Sequence, residues 1–480
     1  MKLKHKLYVG LVLGALSSVT YAKMLYVDPQ GNDSVTYEAN SATSPWRTIG
    51  RAAWGSTTRS APNAGQAARA GDTVIVRAGT YSTTGTGDRI DPAYNPINSG
   101  SAGSPIVFQA DGTVVLTQTG QGPLIGANGN SPAWSRNYIT WRGPFTINEI
   151  NARSTSDTGP VVLWSTIGSV IDGVVIDASG VTDLGNNHNG IRIENTRNVV
   201  LRNNRIVNVL NFGSLQMNGA GVMAYFSDGA VIENNEISNC GSGVFIKGGD
   251  NTNFVVRKNV IYGGGTGVIV QYTGQTGEHR IHQNLLRNNT SGIAVRLNAY
   301  NVKVVNNTLV DNSANGGIVL AHWQEPVANI LVANNIVTQT SGDLVNGGEA
   351  TNVSQFSLDR NVYFGTNRWS MAGSAYSSLS TWQAALGGCP LAGNDCAATV
   401  SNPMFVSASD YRLQSTSPAR NVAVDLLDLN GNGSVSDVIP AGAYVTGLEV
   451  IGRGSSSGSS APPPPPSAAL AAPTGLRVVQ

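Results

Sequence analysis

Between Asn189 and Val337, apolar and polar positions alternate in short runs that return six times. Each unit opens on a glycine followed by alternating side chains. The six are Gly190-Ile191-Arg192-Ile193, Gly221-Val222-Met223-Ala224, Gly243-Val244-Phe245-Ile246, Gly267-Val268-Ile269-Val270, Gly292-Ile293-Ala294-Val295 and Gly317-Ile318-Val319-Leu320. A second run follows each, carrying an Asn and then an aliphatic residue. Examples are Leu201-Arg202-Asn203-Asn204-Arg205-Ile206, Ile232-Glu233-Asn234-Asn235-Glu236-Ile237 and Val256-Arg257-Lys258-Asn259-Val260-Ile261. Successive units lie roughly 22 to 31 residues apart, the spacing of stacked repeats. A period of two predicts strands with one buried face. The three-to-four spacing of an amphipathic helix is missing, and the runs sit too close to Gly/Asn-rich turns to leave room for crossover helices.

One such coil cannot bury its inner face alone, so coils must stack. The predicted architecture is all-β, a right-handed parallel β-helix. Asn204, Asn235, Asn259, Asn284, Asn307 and Asn335 recur at one repeat position. Asn tolerates left-handed backbone and suits a tight turn there, and stacked amides can form a hydrogen-bonded ladder. With these repeats the chain resembles the pectate-lyase-like, parallel β-helix repeat family of secreted proteins, over most of residues 24 to 445. The segment from Leu25 to Asp33, followed by Pro45 to Trp54, is similar to the opening of many exported β-helices, a first strand and then a short capping helix. Ile49, Ala52, Ala53 and Trp54 form one apolar helix face, as a cap over the solenoid's open end requires. Gly71 to Tyr81 resembles a first full coil, and residues 82 to 104 and 120 to 136 read as loops.

Composition narrows the setting. Charged residues make up 12% and the formal net charge is +1, which gives no electrostatic case for nucleic acid. Residues 1 to 22 read as a secretory signal, with Lys2, Lys4 and Lys6 before an apolar run and cleavage after Ala22. The expected layout is therefore signal 1–22, β-helix 23–453, a Ser/Gly/Pro-rich linker 454–471, and 472–480 as the start of a truncated fibronectin type III module. The mature protein is expected outside the cell or in the periplasm, off the membrane, as a monomer. Of three cysteines, Cys389 and Cys396 can close a small loop, and Cys240 reads as a buried small hydrophobe.

Candidate chemistry lies in the columns that point outward. Side chains one and three after each Gly are aliphatic and face in, so those two and four after it face out. The first outward column is Arg192, Met223, Phe245, Ile269, Ala294 and Val319, an apolar strip that implies a covering loop or a groove floor. The second is Glu194, Tyr225, Lys247, Gln271, Arg296 and Ala321. Lys247 and Arg296 stand two coils apart, about 10 Å. Cleavage of a uronate polymer by elimination needs a neutralised carboxylate and a base at the adjacent proton. Arg296 suits the first role by its fork, Lys247 the second with a lowered pKa, and Tyr225 can protonate the leaving oxygen. Phe245 to Asn251 resembles the Lys-bearing coil of alginate and chondroitin lyases, although Gln271 stands where that branch carries Arg. Glu194, Gln271, Tyr272, His322 and Trp323 are expected to contact the substrate.

Other readings are weighed on the same residues. A non-catalytic glycan-binding or adhesion β-helix would use the same face. A glycoside hydrolase would need two carboxylates flanking one bond, from Asp172, Asp177, Asp183 and Glu194. His188, His279, His282 and His322 fall on different coils, without metal-ligand spacing, and read mostly as surface or turn residues. Arg202, Glu233, Arg257 and His282 form a column expected to be a surface salt-bridge ladder. Asp428, Asn430 and Asn432, with Gly433 at the sixth position, mimic the start of a calcium loop, and Ca2+ is the one metal considered. The sequence-level conclusion is an exported, extracellular-polysaccharide-active β-helix, foremost a lyase for an acidic glycan.

Overall fold

The computed structural model describes residues 22–129, 136–320, 327–349, 355–389 and 393–454. Residues 1–21 of the expected signal (1–22), residues 455–480 with nearly all of the expected linker and the expected fibronectin start, and residues 321–326 with His322 and Trp323 lie outside the described residues. The chain is a right-handed parallel β-helix. Each coil gives two short strands, joined at a sharp corner, to a 22-stranded sheet and one strand to an 11-stranded sheet. Strands pair in parallel between successive coils at constant register, for example Ile191 with Val222, Val222 with Val244 and Val244 with Val268. One continuous apolar core runs inside the coils, with Ile191, Val222, Val244, Val268, Ile293 and Ile318 stacked and inaccessible. Among the described residues no helix is long and apolar enough to cross a membrane.

The expected capping helix is present as Ile49–Trp54, with Ile49, Ala52 and Ala53 buried. Thr48 caps its N-terminus, its side chain accepting from the Arg51 N–H. The region expected to loop over residues 120 to 136 instead contributes a strand, Ile125–Asn128, which pairs with Val161–Trp164.

The corner between the two strands of the 22-stranded sheet carries the Asn ladder. The Asn204 amide donates to Asn235 Oδ1 at 2.9 Å, Asn235 to Asn259 at 2.9 Å and Asn259 to Asn284 at 2.9 Å. Asn284, Asn307 and Asn335 continue it to Asn361. Each Oδ1 also accepts a backbone N–H from the preceding coil. The left-handed residues are the ones before the ladder: Asn203, Asn234, Lys258, Gln283, Asn306, Asn334 and Arg360, with φ from 52 to 61°. The ladder Asn is thus selected for its amide and not for a left-handed backbone. The last amide, of Asn361, donates to the buried Asp395 carboxylate, which also accepts from Tyr363 Oη and Trp382 Nε1. Beside it Cys389 and Cys396 are disulfide-bonded, and Cys240 is a buried free thiol.

After the last coil the chain turns back. Its C-terminal segment runs over the same corner, accepting from the side-chain amides of Asn334 at Val424 O, Asn306 at Pro440 O and Asn234 at Val450 O. The turn column therefore serves as the docking rail of a strap.

Loops between the 22-stranded and the 11-stranded sheet set the shape of the outer face. They span 149–160, 178–188 and 208–219 in early coils and shrink to 239–241, 263–265 and 288–290 later. The long loops stand along one edge of the 11-stranded sheet. His188 ties all three: it lies on the second, its Nε2 is 2.6 Å from Glu149 Oε2, and its Nδ1 is 2.8 Å from Leu210 O.

Candidate functional site

The outward apolar strip is closed. Met223, Phe245, Ile269, Ala294 and Val319 pack with Ala220 and Tyr225 and are at most 7% exposed. It is a packed layer and not an open groove floor. The neighbouring polar column and the long loops lie against it: Lys247 Nζ is 5.4 Å from the Phe245 ring centroid. Ser242 Oγ holds the loop down by donating to Met217 O at 2.7 Å.

At the N-terminal end the polar groups neutralise one another. Arg192 donates through Nε at 2.9 Å and Nη2 at 2.6 Å to Glu194 Oε2, and its Nη1 is 3.3 Å from Asp157 Oδ1. Asp157 Oδ2 takes Arg89 Nη1 at 2.7 Å, and its Oδ1 takes the Asn187 amide at 2.7 Å. The Arg192 guanidinium also lies over the Tyr225 ring, 4.6 Å from its centroid.

Toward the C-terminal end the cations have neutral partners. Lys247 Nζ donates to Asn187 Oδ1 at 3.1 Å and Asn218 Oδ1 at 2.9 Å. Arg296 donates to Gln271 Oε1 at 3.2 Å and to the Met217 thioether at 3.0 Å, a weak acceptor. Among the described residues neither cation forms an ion pair. Burial, then the Arg192 charge, lowers the Lys247 pKa below the ordinary lysine value. Burial also lowers that of Arg296. The Tyr225 hydroxyl, donating to Asn187 Oδ1 at 3.2 Å, is pushed up to about 12, chiefly by burial.

Of the residues expected from sequence, Tyr225 and Lys247 are brought together on Asn187, and Gln271 and Arg296 on each other. Glu194 is engaged by Arg192. Tyr272 lines a shallow depression of about 790 Å3 beside the column, with Tyr300, Gln275, Asp250 and others. The carboxylates considered for hydrolysis are scattered. Asp172 pairs with Arg202, Asp177 accepts from Ser179 and Asn208, and Asp183 pairs with Arg153. The expected charge ladder resolves into separate pairs, Arg202 with Asp172 and Arg257 with Glu233. His282 keeps its place in register beside Arg257 but is covered there, 5% exposed. His188, His279 and His282 are all buried, and of the surface or turn positions expected only His188 lies in a connection between strands, while His279 and His282 are in a strand. Burial pushes His279 down to about 4 and His282 to about 3. At His188 burial acts the same way, but Glu149 and the Leu210 carbonyl outweigh it and raise the pKa.

In the calcium-like loop Asp428 Oδ1 accepts the Gly433 N–H, while the Asn430 and Asn432 amides donate to Asp437 Oδ2 at 2.6 and 3.0 Å. Their own side-chain oxygens accept the N–H groups of Asn432 and Ser434. The polar groups of Asp428, Asn430 and Asn432 are engaged within the turn, and among the described residues no cluster of three or more His, Cys, Asp or Glu is placed to hold a metal ion.

Sequence reasoning missed Arg89, Asp157, Asn187, Met217 and Asn218, which complete the site from loops outside the repeat. One signal was available in principle: Asp157 and Asn187 occupy left-handed backbone, φ 64 and 67°, which Asp and Asn adopt more readily than other non-glycine residues.

Comparison with known proteins adds the following. No curated protein matches the sequence. Among solved structures, the chain is similar to XylC in complex with xylose, at 13% identity and a TM-score of 0.45, covering 73% of this chain and 86% of that one. It is similar to an alginate lyase from Paenibacillus sp. str. FPU-7, at 17% identity and a TM-score of 0.38, covering 64% and 90%. It is also similar to a tailspike protein double mutant of E. coli bacteriophage HK620 in complex with pentasaccharide, at 13% identity and a TM-score of 0.47, covering 63% and 57%. At these identities and scores the likenesses say nothing of substrate or chemistry. Residues 189–361 match the family described as "Right handed beta helix region"; by sequence as by structure, the repeats of this chain are a right-handed β-helix.

Proposed function

We propose that this protein is an exported β-helix that acts on an acidic extracellular polysaccharide, cleaving it by β-elimination. The observation that carries the reading is a pair of cations on one column, the half-buried Lys247 and the buried Arg296, whose acceptors among the described residues are neutral. Burying a cation without a counter-charge costs stability, and an anionic ligand would supply that charge. A uronate carboxylate would replace the Met217 thioether at Arg296, and the C–H alpha to it would face Lys247 in place of the Asn218 amide oxygen, which requires the 208–219 loop to yield.

In the elimination, Lys247 in its neutral form takes the proton alpha to the carboxylate. The electron pair of that C–H bond moves into the enolate, which Arg296 stabilises by charge and hydrogen bonding. Collapse of the enolate forms the C=C bond and breaks the glycosidic C–O bond, and the Tyr225 hydroxyl gives its proton to the leaving oxygen. The lowered Lys247 pKa makes the base form available at a lower pH than an ordinary lysine offers. The raised Tyr225 pKa keeps the acid protonated at neutral pH.

A second reading, glycan binding without catalysis, draws on one observation: Arg296 is only 8% exposed under its loop. The test is ultraviolet absorbance of the unsaturated product, with alginate, pectate and chondroitin offered in turn, with and without calcium. The reading expects absorbance to rise with one of them, and the rate to fall about 10³-fold in Lys247→Ala. Binding of these glycans with no absorbance change would replace the lyase reading by the binding one.

A further inference from the structure

We infer that the depression beside the polar column is a subsite for an uncharged sugar ring. It is lined by Tyr272, Tyr300, Asp250, Thr252, Gln275 and Asn298, among others, with a volume of about 790 Å3. Among the described residues no Lys, Arg or His lines it, and the Asp250 carboxylate would repel an anion. Hydroxyl and amide groups beside aromatic faces match a ligand rich in hydroxyls with apolar C–H faces.

The column after the strands sharpens the shape. Phe226 is 48% exposed, and a Cβ built on Gly249 would lie 3.7 Å from its ring. Phe226 therefore packs beside Gly249, one of the residues at the rim of the depression, and Tyr272 lines it directly. The strand before Phe226 pairs with 242–246, which pairs in turn with the strand before Tyr272. The two aromatic residues are thus two rungs apart, about 10 Å. The rung between them ends in Gly248-Gly249, which puts no side chain into the gap. A Cβ at Gly248 would sit 2.5 Å from the Tyr225 ring, so that rung must stay bare. Phe226 and Tyr272 hold left-handed backbone, φ 46 and 50°, as Asn195 and Leu297 do at the same coil position, so a left-handed turn ends each of these strands and a replacement at Tyr272 must tolerate it.

Tyr272 directly follows Gln271, the partner of Arg296. A polymer that offers a uronate to the cations would present a neighbouring uncharged sugar here, so the substrate class becomes a heteropolysaccharide of uronic and neutral sugars. That extension rests on the acidic-glycan reading; the subsite itself does not.

The experiment titrates the full chain with cellohexaose, xylohexaose, maltohexaose and chitohexaose by calorimetry and saturation-transfer NMR, at low and high salt. One of the four is expected to bind with an affinity indifferent to salt, since no charge pair is involved. Its Kd is expected to rise about 10-fold in Tyr272→Asn, where Asn keeps the left-handed backbone, and about 3-fold in Gln275→Ala, an exposed position that does not threaten the fold. Failure of all four to bind, or binding unchanged in both variants, overturns the subsite. Elimination of a uronate polymer without neutral-sugar binding would overturn the subsite alone. Neutral-sugar binding without elimination would overturn the lyase reading alone.

Discussion

The Asn corner and the outer face of the 11-stranded sheet are built by the same coils, yet they treat polar groups in opposite ways. At the corner one residue type repeats, and every amide is matched by the next coil at 2.9 to 3.0 Å. On the outer face each coil carries a different residue, and two cations have no carboxylate partner among the described residues. Repetition with complete pairing is what stability requires of a solenoid. Departure from repetition, with incomplete pairing, is where ligand chemistry has room. The contrast can be broken at either end.

The largest expected effect is at the corner. Asn259→Ala removes the acceptor for both the backbone N–H and the side-chain amide of Asn235, and the donor to Ile232 O and Asn284 Oδ1. All these groups are buried, so unpaired donors and acceptors remain on both neighbouring coils. A loss on the order of 4 kcal/mol is expected in urea unfolding. A loss under 1 kcal/mol would mean that water or coil movement replaces the ladder, and the corner would no longer be the stabilising region.

The same asymmetry governs what the sequence discloses. Residues in the repeat stack in register, so their columns, core face and ladder could be read directly from spacing. Lys247, Tyr225 and Arg296 could be assigned to one face of the solenoid because they occupy one such column. Asp157, Asn187, Met217 and Asn218 could not be found that way, since loops of unequal length carry no register from coil to coil. The ladder's left-handed residue was misplaced by one position because adjacent Asn pairs, such as Asn234-Asn235, satisfy the turn and ladder requirements equally on paper. The buried histidines were misjudged because a histidine's burial depends on which loop packs over it, and no column encodes that.

Next in size is the outer face. Lys247→Met removes a partly desolvated cation, whose Nζ lies 5.4 Å from the Phe245 ring centroid, and puts an apolar side chain of similar length in its place. Stability is expected to stay level or rise by about 1 kcal/mol, while the elimination proposed above is lost. Thermal denaturation and the absorbance assay on one preparation check both. A loss of several kcal/mol would show that Lys247 holds the loops through Asn187 and Asn218, and would move it to the structural side of the comparison.

A smaller effect depends on pH. His282 is buried in the 22-stranded sheet and pushed down to about 3 by burial, with neighbouring Arg257 adding to it. Arg280 and Lys258 also face it with positive charge, and Gln283 hydrogen-bonds it. Unfolded, it protonates near about pH 6.5. Because its folded pKa is depressed, its contribution is whole above that value and is lost as pH falls from there toward 3. His279, pushed down to about 4, acts in the same direction. The melting temperature is expected to drop on acidification through this window, less steeply in His282→Gln. An unchanged slope would assign the acid sensitivity to carboxylates.

The smallest effect is expected from Glu233→Gln. Glu233 pairs with Arg257 at 2.6 Å on the outside of the same sheet, but the arginine side chain is 41% exposed. Solvent and salt screen such a pair, and a change of about 0.5 kcal/mol or less is expected in urea unfolding, vanishing at high salt. Glu233 lies two residues before Asn235, whose amide Asn259 accepts, so the two substitutions differ in burial far more than in place. If Glu233→Gln proved as costly as Asn259→Ala, stacking of polar groups along the solenoid would matter regardless of solvent. The incomplete pairing at Lys247 and Arg296 would then lose its distinction, because any unmatched column would be equally expensive.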